Sequence, residues 1–208
     1  MKIMAYIAFI AAIMCVVLRF ATGKYMYSAL ISLLCGCTVV LSGGSGDRIL
    51  LAAGLFVSVV ADWFLAHQNG RTEFFIYGVI GFLIAHCLFG GFAAARFSFG
   101  KPQLILCCVL LAAYSFYMAL RVMPGVEKAL RFPITAYMLV SIASVYLAMS
   151  SGMPVFEKII YTVGIASILF SDTMIAEDVF VGVKRAAKLV HPTYYLCHVL
   201  LALSALIR

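Results

Sequence analysis

Polar residues along this chain are sparse and bunched, and long apolar runs separate the bunches. Runs near 3–18, 25–42, 48–67, 74–95, 102–120, 132–150, 156–176 and 191–207 hold almost no charge. A helix that spans a bilayer needs about 20 mainly apolar residues, so eight transmembrane helices are predicted. The joints carry the turn formers and charges: Gly23 with Lys24, then 43–48, 70–73, 100–102, 124–131, 152–154 and 184–191. None is long enough to be a domain. The expectation is a single all-α, polytopic integral membrane bundle over 1–208, in which helices satisfy their own backbone groups in lipid.

Composition moves the reading in the same direction. The chain is 65% hydrophobic and 11% charged, with a mean hydropathy of +1.12, which excludes an ordinary soluble domain. The net charge of +7 is spread over short joints, which excludes a basic nucleic-acid-binding domain and speaks to orientation instead. The odd joints hold Arg19, Lys24, Arg71, Arg121, Lys128, Arg131, Lys184, Arg185 and Lys188. The other side holds Lys2, Arg48, Arg96, Lys101, Lys158 and Arg208. The excess places the odd joints in the cytoplasm, and a bacterial inner membrane is expected. Arg19 ends the first run without a small-x-small cleavage site, and Met14 before Cys15 spoils a lipoprotein box, so this run reads as a retained helix.

The seven cysteines add no site. Cys15, Cys35, Cys37, Cys87, Cys107, Cys108 and Cys197 all fall in apolar runs, where free cysteine behaves as a small hydrophobe. Cys35 and Cys37 have a ligand-like spacing, but residues two apart on a helix point to different faces.

Ionisable residues inside the apolar runs are the informative ones, because each costs about 2.5–3.5 kcal/mol at a helix centre on insertion scales. The clear cases are Asp62, His86, Asp172 and His198. Asp62 stands in GLFVSVVAD and Asp172 in GIASILFSD, each eight residues after a glycine, Gly54 and Gly164. The next spans match as well, with His86 in FLIAHCLF and His198 in YYLCHVLL. Pro133 aligns with Tyr25 at the start of the sixth and second spans. Separations between 108 and 112 positions hold throughout, so 1–100 and 101–208 read as a parallel repeat of two four-span halves.

At 1.5 Å per residue, Asp62, Asp172, His198 and Tyr137 all fall within about 10 Å of the odd-joint side, with His86 nearer the middle. Lys24, Tyr194 and Tyr195 begin their spans at that side. A pocket at this level could take a lipid-like molecule with its polar head near Lys24, Tyr194 and the acids. Asp62 and Asp172 are expected to face each other there. The plainer reading is that both acids bond neighbouring helices through hydroxyls such as Ser58, Ser171 and Tyr137, and a lone histidine is more often a packing residue than a catalyst.

These residues also carry a family likeness. Gly54, Ser58 and Asp62, then Gly81, Phe82, Ala85 and His86, then Pro133 and Tyr137, then Gly164, Ser171 and Asp172, and finally Tyr194 and Tyr195 resemble the YhhN family of membrane lysoplasmalogenases over nearly the whole chain. The chain departs from the family pattern in having Tyr25 after Lys24, where proline is usual, and His198 where glutamine is usual. Both departures bear on substrate preference. The resemblance implies an eight-span hydrolase that cleaves the vinyl ether bond of lysoplasmalogens to a fatty aldehyde and glycerophosphocholine or glycerophosphoethanolamine. It implies a lysophospholipid substrate drawn from membrane lipid, with no metal or organic cofactor, no nucleic acid and no soluble partner.

An intramembrane acid suits that chemistry. An enol ether is inert to base, and its hydrolysis begins when its β-carbon takes a proton, giving an oxocarbenium ion that water captures. Such a step needs a carboxylic acid still protonated near neutrality and a second group to stabilise the cation and activate water. Desolvation and a neighbouring carboxylate both favour the protonated form of a carboxyl group. Asp62 and Asp172 are therefore expected to be the catalytic pair, with Lys24 meeting the phosphate and Ser58, His86, Tyr137, Tyr194 and His198 binding or orienting. A transporter with midplane acids is the competing class, and a structural or sensory bundle is a third.

Overall fold

The computed structural model describes residues 1–43, 46 and 48–207. Gly44, Ser45 and Asp47, within the predicted 43–48 joint, and Arg208, counted among the cations, lie outside them. Eight α-helices follow one another: α1 (Lys2–Thr22), α2 (Met26–Leu41), α3 (Arg48–Ala66), α4 (Thr72–Ala94), α5 (Lys101–Tyr117), α6 (Lys128–Met149), α7 (Val155–Ala176) and α8 (Ala187–Leu206). Outside the helices, one isolated bridge, Phe97 to Ser151, is found among the described residues. Seven of the helices are long and apolar enough to cross a membrane, and this is a multi-pass membrane protein. The exception is α2, whose 16 residues cover about 24 Å, short of the roughly 30 Å hydrocarbon core. It lies among α1, α3 and α8, so protein rather than lipid covers much of it.

Local chemistry explains the ends. Gly23 closes α1 with a left-handed φ of 69°, which a side chain would strain, and returns its N–H to Arg19 O. Pro102 sits in the first turn of α5, where its missing N–H costs nothing.

The main departures from the expected boundaries are at prolines and at the ends of two spans. α6 and α8 begin at 128 and 187 rather than 132 and 191, with Pro133 and Pro192 inside them, since neighbouring helices re-satisfy what a proline frees in a membrane helix. α5 runs into a π-helical turn (Met118–Val122) and a 3-10 turn (Met123–Gly125), and α7 runs into a second π turn (Glu177–Val181). Glu177 looks like a joint residue in the sequence. It is buried, holding the Tyr117 hydroxyl and Arg121 Nε.

Packing sets the layout. α3 lies against α4 and α2, and α7 against α8 and α6. α4 reaches across to α6 as α8 reaches across to α2, while α1 and α5 stand outermost. α5 buries no residue and α1 buries only Ala5, Ala8 and Ala12, leaving rows of isoleucine, leucine and phenylalanine facing outward. Gly54 and Gly164 are contact points. A Cβ on Gly54 would run into the buried Phe89 ring of α4, and one on Gly164 would press on Leu200 and Leu201 of α8 at 3.2–3.3 Å.

Candidate active site

Asp172 lies near the end of α7, 13% exposed, and one of its oxygens takes two bonds. The Tyr137 hydroxyl of α6 donates to Oδ2 at 2.8 Å, and His86 Nε2 of α4 shares a 3.0 Å hydrogen bond with the same atom. His86 is fully buried and stands edge-on to the Tyr137 ring at 5.5 Å. Its position is fixed from the backbone side too, because Ser144 Oγ donates to His86 O at 3.0 Å. Its Nδ1 is buried with no partner among the described residues.

Asp172 and Tyr137 line a cavity of about 410 Å³ among α4, α5, α6 and α7, and His86 stands buried behind Asp172. Asp172, Tyr137, Tyr114 and Ser141 supply its polar atoms. Otherwise the wall is apolar, built from residues such as Ile76, Val79, Phe82, Leu130, Ile134, Met138 and Leu169, with Met118 and Phe180 contributed by the two π turns. Such turns often mark functional sites. The volume lies in the range of about 300–1,000 Å³ typical of small-molecule sites, and the lining suits a hydrocarbon chain.

Asp62 has separate surroundings. The Tyr194 hydroxyl of α8 donates to its Oδ2 at 2.7 Å, and the Ser32 hydroxyl of α2 is beside both. Tyr194 also packs on His198 at 4.2 Å and edge-on to Phe82 at 5.6 Å. His198 Nδ1 lies 3.0 Å from Tyr194 O. A carbonyl oxygen only accepts, so Nδ1 carries the hydrogen, and Nε2 is buried with no partner among the described residues.

The expected face-to-face pair is not what the helices make. Asp172 lines the cavity and Asp62 does not, although Leu65, one turn further along α3, does. The reason is the packing order: Asp62 leans on α8 and α2, Asp172 on α4 and α6, and Phe82 of α4 stands in the cavity wall against Tyr194. Ser58 joins neither acid, since its Oγ donates to Gly54 O within its own helix at 3.0 Å. Ser171 bonds Val190 O. Lys24 is exposed in the joint after α1, and its side chain bonds no described residue. Of the expected binding residues, His86, Tyr137, Tyr194 and His198 come together at the acids, whereas Lys24 and Ser58 do not.

Comparison with known proteins gives the family. A family model described as the YhhN family matches residues 23–205. The chain belongs to the YhhN family. It is also 31% identical over 172 residues to the mouse protein named lysoplasmalogenase TMEM86B, an alignment covering 80% of this chain and 67% of the mouse protein. No solved structure matches it. This YhhN chain holds further polar residues at its acids: Ser32 near Asp62, Tyr25 near Asp62, which the sequence reading noted as a departure from the family pattern without placing it at the acid, and Tyr114, which lies by Asp172 and bonds Thr173 Oγ1 at 2.7 Å. The available signal for Tyr25 and Tyr114 was helical position, since both lie at the odd-joint ends of their spans, whereas Ser32 stands about midway along α2.

Proposed function

We propose that this chain is a membrane hydrolase that cleaves the vinyl ether bond of lysoplasmalogens, releasing a fatty aldehyde and a glycerophospho head group. The observation that carries the reading is Asp172, held by Tyr137 and His86 through one carboxyl oxygen at the wall of an apolar cavity. The YhhN match and the likeness to mouse lysoplasmalogenase support the substrate class.

In the proposed route the alkenyl chain lies along the apolar wall, bringing its vinyl group to Asp172. The protonated carboxyl gives its hydrogen to the β-carbon, and the ether oxygen shares the resulting cation. The carboxylate left behind stabilises that cation across a cavity with few other polar atoms. Water adds to the carbon next to oxygen, and its proton passes to the Asp172–His86 pair. The hemiacetal then breaks its carbon–oxygen bond, giving aldehyde and the glycerol hydroxyl, with one water consumed. Tyr137 fixes the carboxyl rotamer and His86 serves as proton acceptor and relay. Asp62, with Tyr194, Ser32 and His198, is the second acidic centre, assigned to the glycerol end of the substrate.

The duplication belongs to the same reading. The order α3 on α4, α4 on α6, α7 on α8, α8 on α2 supports two related halves, 1–100 and 101–208, forming one transmembrane domain. Each half then gives an acid on its third helix and a histidine on its fourth. A bacterial inner membrane with the odd joints in the cytoplasm is the proposed setting, supported by the charge excess. The deciding experiment is aldehyde release from a 1-alkenyl lysophospholipid by the purified full chain. Absence of aldehyde, with the lipid recovered intact, overturns the hydrolase.

A further inference from the structure

We infer that Arg19, with Tyr25, forms a phosphate-binding subsite beside Asp62 that holds the head group of the lysolipid, the task the sequence assigns to Lys24. This rests on the lysolipid reading above. Arg19 lies near the end of α1, before the residues 23–205 that the YhhN model matches.

Three observations carry it. Arg19 Nε donates to Ser28 Oγ at 2.9 Å, and Ser28 Oγ is 2.5 Å from the Tyr195 hydroxyl. Ser28 and Tyr195 are almost fully buried, 2% and 1% exposed. An arginine that only reaches for the membrane surface needs no such anchor. This one is held in place by α2 and α8 together.

The inward bond uses one of the five N–H donors of the guanidinium. No carboxylate among the described residues pairs with Arg19. A held guanidinium with its charge uncompensated matches the oxygens of a phosphate, which it can take with two parallel bonds.

The Tyr25 hydroxyl is the third observation. It is buried, has no partner among the described residues, and lies close to both Arg19 and Asp62. A buried hydroxyl left without a partner is costly, and a phosphate or glycerol oxygen on Arg19 would supply one. The exposed His191 ring stacks on Tyr195 at 5.8 Å and 8°, adding a nitrogen at the outer edge. Lys24, by contrast, is exposed and unanchored. A phosphodiester here lies at the Asp62 end of the site, and the cavity beside Asp172 is left for the chain.

Binding can be read without turnover. Trp63, the single tryptophan, follows Asp62 and stacks on His67 at 4.7 Å, and His67 stands edge-on to Tyr25 at 6.3 Å, so its fluorescence reports on this corner. The full chain in nanodiscs is titrated with lysophosphatidylcholine, an ester lysolipid with no vinyl ether to cleave, and separately with monoacylglycerol, glycerophosphocholine and inorganic phosphate. Arg19→Gln is expected to weaken lysophosphatidylcholine binding at least about tenfold and leave monoacylglycerol unchanged, with Arg19→Lys between the two. Tyr25→Phe removes a hydroxyl that bonds nothing, so the fold should survive, and it is expected to weaken the same binding about threefold or more. Lysophosphatidylcholine affinity unchanged in both variants overturns the subsite. Equal loss for monoacylglycerol makes Arg19 a structural residue and overturns it as well. Arg19-dependent binding of inorganic phosphate without the lysolipid reassigns the site to a free anion and overturns the head-group assignment. Because no outcome depends on aldehyde release, failure of the hydrolase reading is seen separately.

Discussion

Asp172 and His86 share a 3.0 Å hydrogen bond across 86 residues of sequence, between α7 and α4, and the Tyr137 hydroxyl closes on the same carboxyl oxygen at 2.8 Å. Both bonds fall on Oδ2, so the second oxygen is left for whatever enters the cavity. A carboxyl held in this way keeps one rotamer while its proton is exchanged.

Asp172→Asn is expected to lower turnover at least about a hundredfold, the usual scale for losing a general acid, while the protein still inserts and purifies. The amide keeps the size and can still bond Tyr137. Aldehyde release by the purified variant, with its elution profile compared to the parent chain, checks this. Asp62→Asn, which alters the glycerol end and leaves the proton donor in place, is expected to lower kcat/KM about tenfold, chiefly through KM. Normal activity in either removes that residue from the site.

Tyr137→Phe should separate support from chemistry. It removes one of the two bonds on Oδ2 and leaves the acid, so a loss of about tenfold is expected, well short of the asparagine variant. His86→Ala should cost more, because it removes both a bond and a proton acceptor. Steady-state kinetics on the two variants would show the order, and a reversed order would mean that the histidine only packs.

Solvent deuterium tests the route. With protonation of the β-carbon as the slow step, turnover in D2O should drop by a clear isotope effect. Each aldehyde should carry one deuterium on its α-carbon, since that hydrogen comes from an acid in exchange with solvent. Mass spectrometry after short incubation reads it before free aldehyde exchanges on its own. Product without that label would exclude the carboxylic acid mechanism.

The cavity should set chain length. Ser141 lines it and bonds only within its own helix, to Tyr137 O. Ser141→Phe places a ring in the apolar volume, so long alkenyl chains should be cleaved many-fold more slowly and short chains near the parent rate. Equal slowing for every chain length would show that the chain lies elsewhere.

Gly54→Ala should destabilise by about 1–3 kcal/mol, the cost of overpacking, because the new Cβ meets the fully buried Phe89 ring. Gly91→Ala is the control, since its nearest neighbour outside the helix is Leu50 Cδ1 at 3.5 Å. Thermal unfolding in detergent should give a clearly lower Tm for the first and little change for the second.

The helices, their number and the membrane setting were legible in the sequence because the bilayer demands the same thing of every span: length, apolarity and internally bonded backbone. Asp62 and Asp172 could be singled out for the same reason, since a carboxyl group in such a run is costly enough to need a purpose. The polar level near the odd joints followed from the helical rise alone. Which acid lines the cavity did not, because that depends on how α3, α4, α7 and α8 pack, and on Phe82 standing between Tyr194 and the cavity. The π turns that bring Met118 and Phe180 to the wall, and the burial of Glu177, depend on contacts between α5 and α7 that no local pattern encodes. The anchoring of Arg19 but not of Lys24 is of the same kind. Both are cations at the same joint, and only the tertiary structure shows that buried hydroxyls from two other helices hold one of them in place.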